Sequence, residues 1–199
     1  MNDKMEKSYL SKREKDIIYN PRTGTEMERA LQGKVPIYKY SELCDMAKRH
    51  GPPSRVLAHL FNYSPQMVIL LQDPKNMSSG HWISVSQNPQ KKEIYFFSTY
   101  GGKPDAEKVE WLTEDDLKES GQFCNIFNDS MREYQKRGWE IHYNDFPYQT
   151  SGDHTATCGI YTAAFLRSGS NPDEFMRQTQ RIQDAGYNPA IVYFKRYFM

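Results

Sequence analysis

Met67-Val68-Ile69-Leu70-Leu71, His81-Trp82-Ile83-Ser84-Val85-Ser86 and Glu93-Ile94-Tyr95-Phe96-Phe97 are three β-prone runs in close succession. The first is continuously apolar, the pattern of a strand covered on both faces. The second alternates, and the third is rich in aromatic residues that suit a pleated surface. Between the last two, Gln87-Asn88-Pro89-Gln90-Lys91-Lys92 has hairpin length and turn chemistry, so those strands run antiparallel. Gly101-Gly102 ends the third. A small sheet is expected at the centre of the molecule.

The segments on either side read as helical. Before the sheet, Glu26 to Leu31 is closed by Gly33, and Ser41 to Arg49 has Ser41 as its expected N-cap and Gly51-Pro52-Pro53 as its stop. Beyond it, Asp105 to Leu112 forms a short helix. Thr113-Glu114-Asp115-Asp116 is an acidic cap before a longer helix reaching about Lys136. Trp139 to Tyr143 alternates and can return to the sheet, Pro147 to Thr157 is loop, and Cys158 to Leu166 opens a buried helix. Asn171-Pro172-Asp173-Glu174 starts another, with Asn as N-cap and Pro at the first helical position. The layout is α+β, a mainly antiparallel sheet with helices on both sides.

The chain has 199 residues, a size suited to one domain spanning 1–199, with Lys+Arg 26 against Asp+Glu 25. The charge-dense residues 1–16 read as a frayed terminus or an added exposed helix. A net charge of +1 gives little support for a nucleic-acid footprint. Lys91-Lys92 and Lys195-Arg196 read as solvated pairs, and the apolar end, Ala190 to Met199, is expected to pack on the domain. No run approaches the length of a spanning helix, and the charged start, lacking an apolar stretch, argues against a signal peptide. Three cysteines form neither a disulfide framework nor a CxxC knuckle, which favours a reducing compartment.

Cys44 and Cys124 sit on expected helix faces and read as packing. Cys158 follows a polar loop, precedes Gly159 and begins a helix, where unpaired backbone N–H groups favour the thiolate. Gly159 leaves room for a substrate backbone to pass. Of the five histidines, His81 is the one placed to serve as base. It begins a strand after Met77-Ser78-Ser79-Gly80, and Trp82 can shield it from bulk water.

Gly80-His81-Trp82-Ile83, the strand Ile94 to Phe97, Gln149 and Thr157-Cys158-Gly159-Ile160-Tyr161 resemble, in order and spacing, the adenain and SUMO-protease clan of cysteine endopeptidases. The likeness spans about residues 65–168. It implies a papain-like α+β fold and a thiol protease in which Cys158 is the nucleophile and His81 the base, with Gln149 lending its amide to an oxyanion hole. Gln149 stands nine positions before Cys158, a longer gap than the clan usually shows. Where that clan carries an acid at the end of the second strand, Ser98 stands here. Two readings follow: a Cys–His pair oriented by Ser98 or a backbone carbonyl, or a carboxylate arriving from elsewhere, Asp153 among the candidates. The first is preferred. Gly152-Asp153-His154-Thr155-Ala156-Thr157-Cys158-Gly159 looks most like the maturation proteases of large DNA viruses, virophages and polinton-like elements. The resemblance implies capsid precursors as substrates, cleavage beside Gly, and a monomer in the virion and the host-cell interior. No cofactor, metal or membrane partner is expected, and the DNA and peptide activators of adenovirus-type enzymes find little support in the +1 charge. A modifier-cleaving isopeptidase and a catalytically weak binding module are the alternatives.

Overall fold

The computed structural model describes residues 10–149 and 155–199. Five strands form one sheet in the order β1 to β5: β1 (Ile37–Lys39), β2 (Gln66–Asp73), β3 (Asn76–Asn88), β4 (Glu93–Ser98) and β5 (Glu140–Tyr143). β2, β3 and β4 are an antiparallel meander, whereas each edge strand runs parallel to its neighbour. Two features go beyond the sequence reading. β1 is too short to show a period, and β3 begins at Asn76, so His81 lies inside the strand opposite Leu71 rather than at its start.

Strand periodicity divides the apolar side chains between two cores. Val68, Leu70, Trp82, Tyr95 and Phe97 face one side. There they meet α1 (Lys12–Tyr19), α2 (Gly24–Ala30), α8 (Cys158–Arg167), α9 (Pro172–Asp184) and α10 (Pro189–Tyr197). Met67, Ile69, Leu71, Ile83, Val85, Ile94 and Phe96 face the other. Their partners are α3 (Tyr40–His50), α4 (Val56–Phe61) and α7 (Ile126–Lys136). The continuous apolar run of β2 therefore feeds both cores, as expected of a strand covered twice. The C-terminal segment packs as expected, with Ala190, Ile191 and Tyr193 buried in α10. Among the described residues, no helix is long and apolar enough to cross a membrane.

Three local expectations are corrected. α3 begins one residue earlier than expected, with Lys39 as N-cap and the Glu42 carboxylate accepting its N–H at 2.8 Å. Ser41 instead donates to Gln72 Oε1. The long helix expected after Thr113 is two helices, α6 (Glu114–Glu119) and α7, broken at Ser120-Gly121. The break frees Gln122, whose amide bonds the backbone N–H and C=O of Gln72 at 2.8 and 2.9 Å where β2 bulges out of register. Cys124 is consequently in the connecting loop and not on a helix face; its N–H donates to Cys44 Sγ at 3.3 Å.

The same loop anchors α5 (Ala106–Trp111). Asp105 enters that helix at φ 62°, a left-handed backbone that costs a non-glycine residue energy. It is held there by Tyr40 Oη and by the Asn128 N–H at 2.8 Å. Lys108, 1% exposed, lies over the Tyr40 ring with its ammonium against the Cys124 carbonyl and 3.2 Å from Asn125 Oδ1. Burial pushes Asp105 up and Lys108 down, and each is drawn back by the other's charge. Lys108→Met removes one side of a buried charge pair. It is expected to destabilise the fold by about 3 kcal/mol, read as a lowered urea midpoint at unchanged m-value.

Candidate active site

The end of the sheet where β3 and β4 meet collects the residues singled out in the sequence. Register pairs Ile83 with Ser98, and two-residue periodicity puts His81 on the same face one step beyond. His81 Nε2 lies 3.0 Å from Ser98 Oγ. On the far side of Ser98 stands Glu107, delivered by the first turn of α5; Ser98 Oγ donates to its Oε1 in a short contact, and its Oε2 is 3.3 Å from His81 Nε2. All three are buried, with Glu107 6% exposed. Glu107, a residue the sequence reading did not single out, is thus the carboxylate that stands beside the His81–Ser98 pair. Asp153, the named candidate, lies outside the described residues.

Cys158 reaches this place from the opposite face, as the first residue of α8. Its sulfur receives the backbone N–H groups of Trp82 and Gly159, so it sits against the strand residue that follows His81. Thr162 Oγ1 donates to the Trp82 carbonyl at 3.0 Å and fixes α8 to β3 one turn later. Cys158, His81 and Gln149 all line one cavity of about 340 Å³, together with Leu71, Gln72, Tyr100 and Leu112. The tilted ring of Tyr100, 4.7 Å from the imidazole between centroids, is the aromatic wall of His81. Trp82, expected in that role, is buried on the α8 side, with its indole N–H donated to the Arg22 carbonyl at 2.9 Å.

Gln149 is held at both ends of its amide. Oε1 accepts from Thr99 Oγ1 at 3.2 Å, and Nε2 donates to the Thr155 carbonyl. Its backbone N–H also bonds the Thr99 carbonyl at 3.0 Å, tying the loop to the end of β4. Gly159 has a different reason from the one expected. A Cβ there would come within 2.9 Å of Arg22 Cβ and 3.0 Å of Met27 Sδ, so the glycine admits the α2 segment and not a substrate backbone.

Burial governs the charge states. It pushes His81 down to about 3. It pushes Glu107 up to about 7, with the Ser98 hydroxyl pulling the other way and the charge of Glu110 adding to the rise. Cys158 is also raised by burial, against the Trp82, Gly159 and Cys158 N–H groups that favour the thiolate. The helix-start effect expected from sequence is therefore present but outweighed. At rest the thiol and imidazole are neutral, and an ionised Glu107 is the group that favours an imidazolium when one forms. With the Ser98 proton directed to Glu107, Ser98 Oγ accepts from His81 Nε2–H, so Nδ1 carries the lone pair. The set can take a proton from a thiol, hold the resulting cation, and donate to an oxygen in the cavity.

No family model matches the chain, and no curated protein matches its sequence at a significant level. Solved structures do align with it. The SUMO protease Ulp1 with its catalytic cysteine oxidised to a sulfinic acid aligns at 14% identity and TM-score 0.40, over 93% of this chain and 83% of that one. The C-terminal Ulp1 protease domain in complex with Smt3, the yeast ortholog of SUMO, aligns at 15% identity and TM-score 0.42, over 89% and 74%.

Proposed function

We propose that the chain is a cysteine peptidase acting on polypeptide substrates. The observation that carries this reading is the convergence of Cys158, His81 and Gln149 on one cavity, with Ser98 and Glu107 ranged behind the imidazole. Cys158 Sγ loses its proton to His81 Nδ1 and attacks the scissile carbonyl carbon, and the oxygen takes the electron pair. The Gln149 amide and the Cys158 backbone N–H receive that oxyanion. Collapse expels the amine, which takes the proton from Nδ1. Water then enters by the same base and releases the acid from the thioester. Ser98 and Glu107 act on the imidazole: Ser98 sets its tautomer, and Glu107 stabilises its cation.

The finer reading is a maturation endopeptidase that cleaves capsid and other virion precursors beside small residues such as glycine. The resemblance of residues 152–159 supports it. A peptide ending in a glycine with a thiol-reactive group is expected to label Cys158 and to fail in His81→Ala. Labelling at Cys44 or Cys124, or labelling indifferent to His81, refutes the assignment. Side-by-side cleavage of a glycine-containing capsid-precursor peptide and a ubiquitin-like fusion then decides the substrate. Turnover of the fusion alone replaces the virion reading with that of an isopeptidase.

A further inference from the structure

β4 and β5 pair in parallel with Glu93 opposite Glu140 and Tyr95 opposite His142. Two-residue periodicity then sets Glu93, Tyr95, Glu140 and His142 on one face at the sheet edge, at the end of β4 remote from Ser98. His142 Nε2 is 3.9 Å from Glu93 Oε1 and 3.6 Å from Glu140 Oε2, and one ligand atom from each residue lies within 4.8 Å of the others. These separations are too long for hydrogen bonds, and Nε2 is a buried atom with no hydrogen-bond partner. They approach the spacing of ligands around one ion. Zn–N and Zn–O bonds of about 2.0–2.2 Å at tetrahedral angles put two ligand atoms about 3.3–3.6 Å apart.

Two contacts arrange these ligands beforehand. Tyr95 Oη donates to Glu93 Oε2, which leaves Oε1 turned toward the imidazole. The Tyr95 and His142 rings stack at 5.2 Å between centroids, which sets the plane of the imidazole. Outer contacts of this kind orient metal ligands in proteins generally. Glu93 and His142 line a cavity of about 250 Å³ that Asp173, in the first turn of α9, also lines. Water can complete the coordination. Glu140 is largely exposed and can close the last few tenths of an ångström.

We infer that Glu93, Glu140 and His142 form a divalent-cation site, and that one imidazole with two carboxylates selects zinc or a similar first-row transition ion over magnesium or calcium. Nothing in the linear pattern announces it, because its ligands come from two strands joined by three helices.

The test uses the full chain carrying Cys158→Ser, so that zinc cannot bind the cavity thiol. Calorimetric titration with zinc chloride is expected to show one equivalent bound and a raised Tm, with no response to magnesium. The cobalt-loaded protein is expected to absorb in the visible without a thiolate charge-transfer band. Glu140→Gln, at an exposed position, and His142→Gln are each expected to weaken zinc at least about tenfold, the minimum typical even of outer-shell losses. Absence of stoichiometric binding, thiolate bands in the cobalt spectrum, or an affinity in either variant unchanged from that of the parent overturns the site.

Discussion

Cys158→Ser and His81→Ala are each expected to lower kcat/KM by about 10⁴- to 10⁶-fold, with little further loss when the two are combined. A nucleophile and its base act as one unit, so removing either removes the step that both perform. The burial of both residues in the cavity wall sharpens this expectation. Burial raises the thiol, so without a base little thiolate exists at neutral pH to react alone. Progress curves with purified variants and a urea titration of each check it. A single variant that keeps more than a tenth of the parent rate while folded removes Cys158 and His81 from the chemistry.

The second expectation concerns Glu107. Its carboxyl stands at about 7, and only the ionised form stabilises an imidazolium. Activity should therefore rise with pH through about 7, and Glu107→Gln should lose that limb while falling about 10²- to 10⁴-fold. Stability should move the other way. A carboxyl raised from 4.5 binds protons more tightly in the native than in the unfolded state, so it favours the fold at low pH. That contribution is lost as pH climbs through about 7, at a cost of about 3 kcal/mol. His81, lowered from 6.5 to about 3, has the opposite sign: its contribution is present above 6.5 and lost as pH falls toward 3. Glu107→Gln is thus expected to be more stable than the parent at pH 8 and less active, the mark of a strained functional group. Ser98→Ala supplies the companion measurement, since it breaks the hydrogen-bonded link while leaving the carboxylate in place. A Glu107→Gln profile that matches the parent in shape and lies within tenfold in rate would falsify its role.

The local patterns carried most of the fold. Alternation and turn chemistry place β3, β4 and β5, and the Asn171-Pro172 start of α9 is found with the Asn171 side chain accepting the Glu174 N–H at 2.9 Å. What escaped was set by tertiary competition. The helix after Thr113 ends at Ser120 because Gln122 is needed at the β2 bulge, and no helical period encodes that need. In the site, Cys158, His81, Ser98 and Gln149 each carried a local mark. Glu107 carried none: in sequence it is one acid on a charged helix beside Glu110. It becomes legible only when Tyr40, Asp105 and Lys108 have docked α5 beside Ser98.

The parallel pairing of both edge strands bears on the order in which the chain assembles. The β2–β3–β4 meander closes over short hairpins at small entropic cost, whereas β1 and β5 must each be recruited across a long connection. His81 and Ser98 lie in the meander seventeen residues apart, and Glu107 follows Ser98 by only nine. Cys158 belongs to a segment beyond β5. During synthesis His81, Ser98 and Glu107 therefore emerge well before Cys158. A chain still being translated holds the imidazole, hydroxyl and carboxylate without the thiol, so the peptidase activity proposed above is expected only once Cys158 has been added.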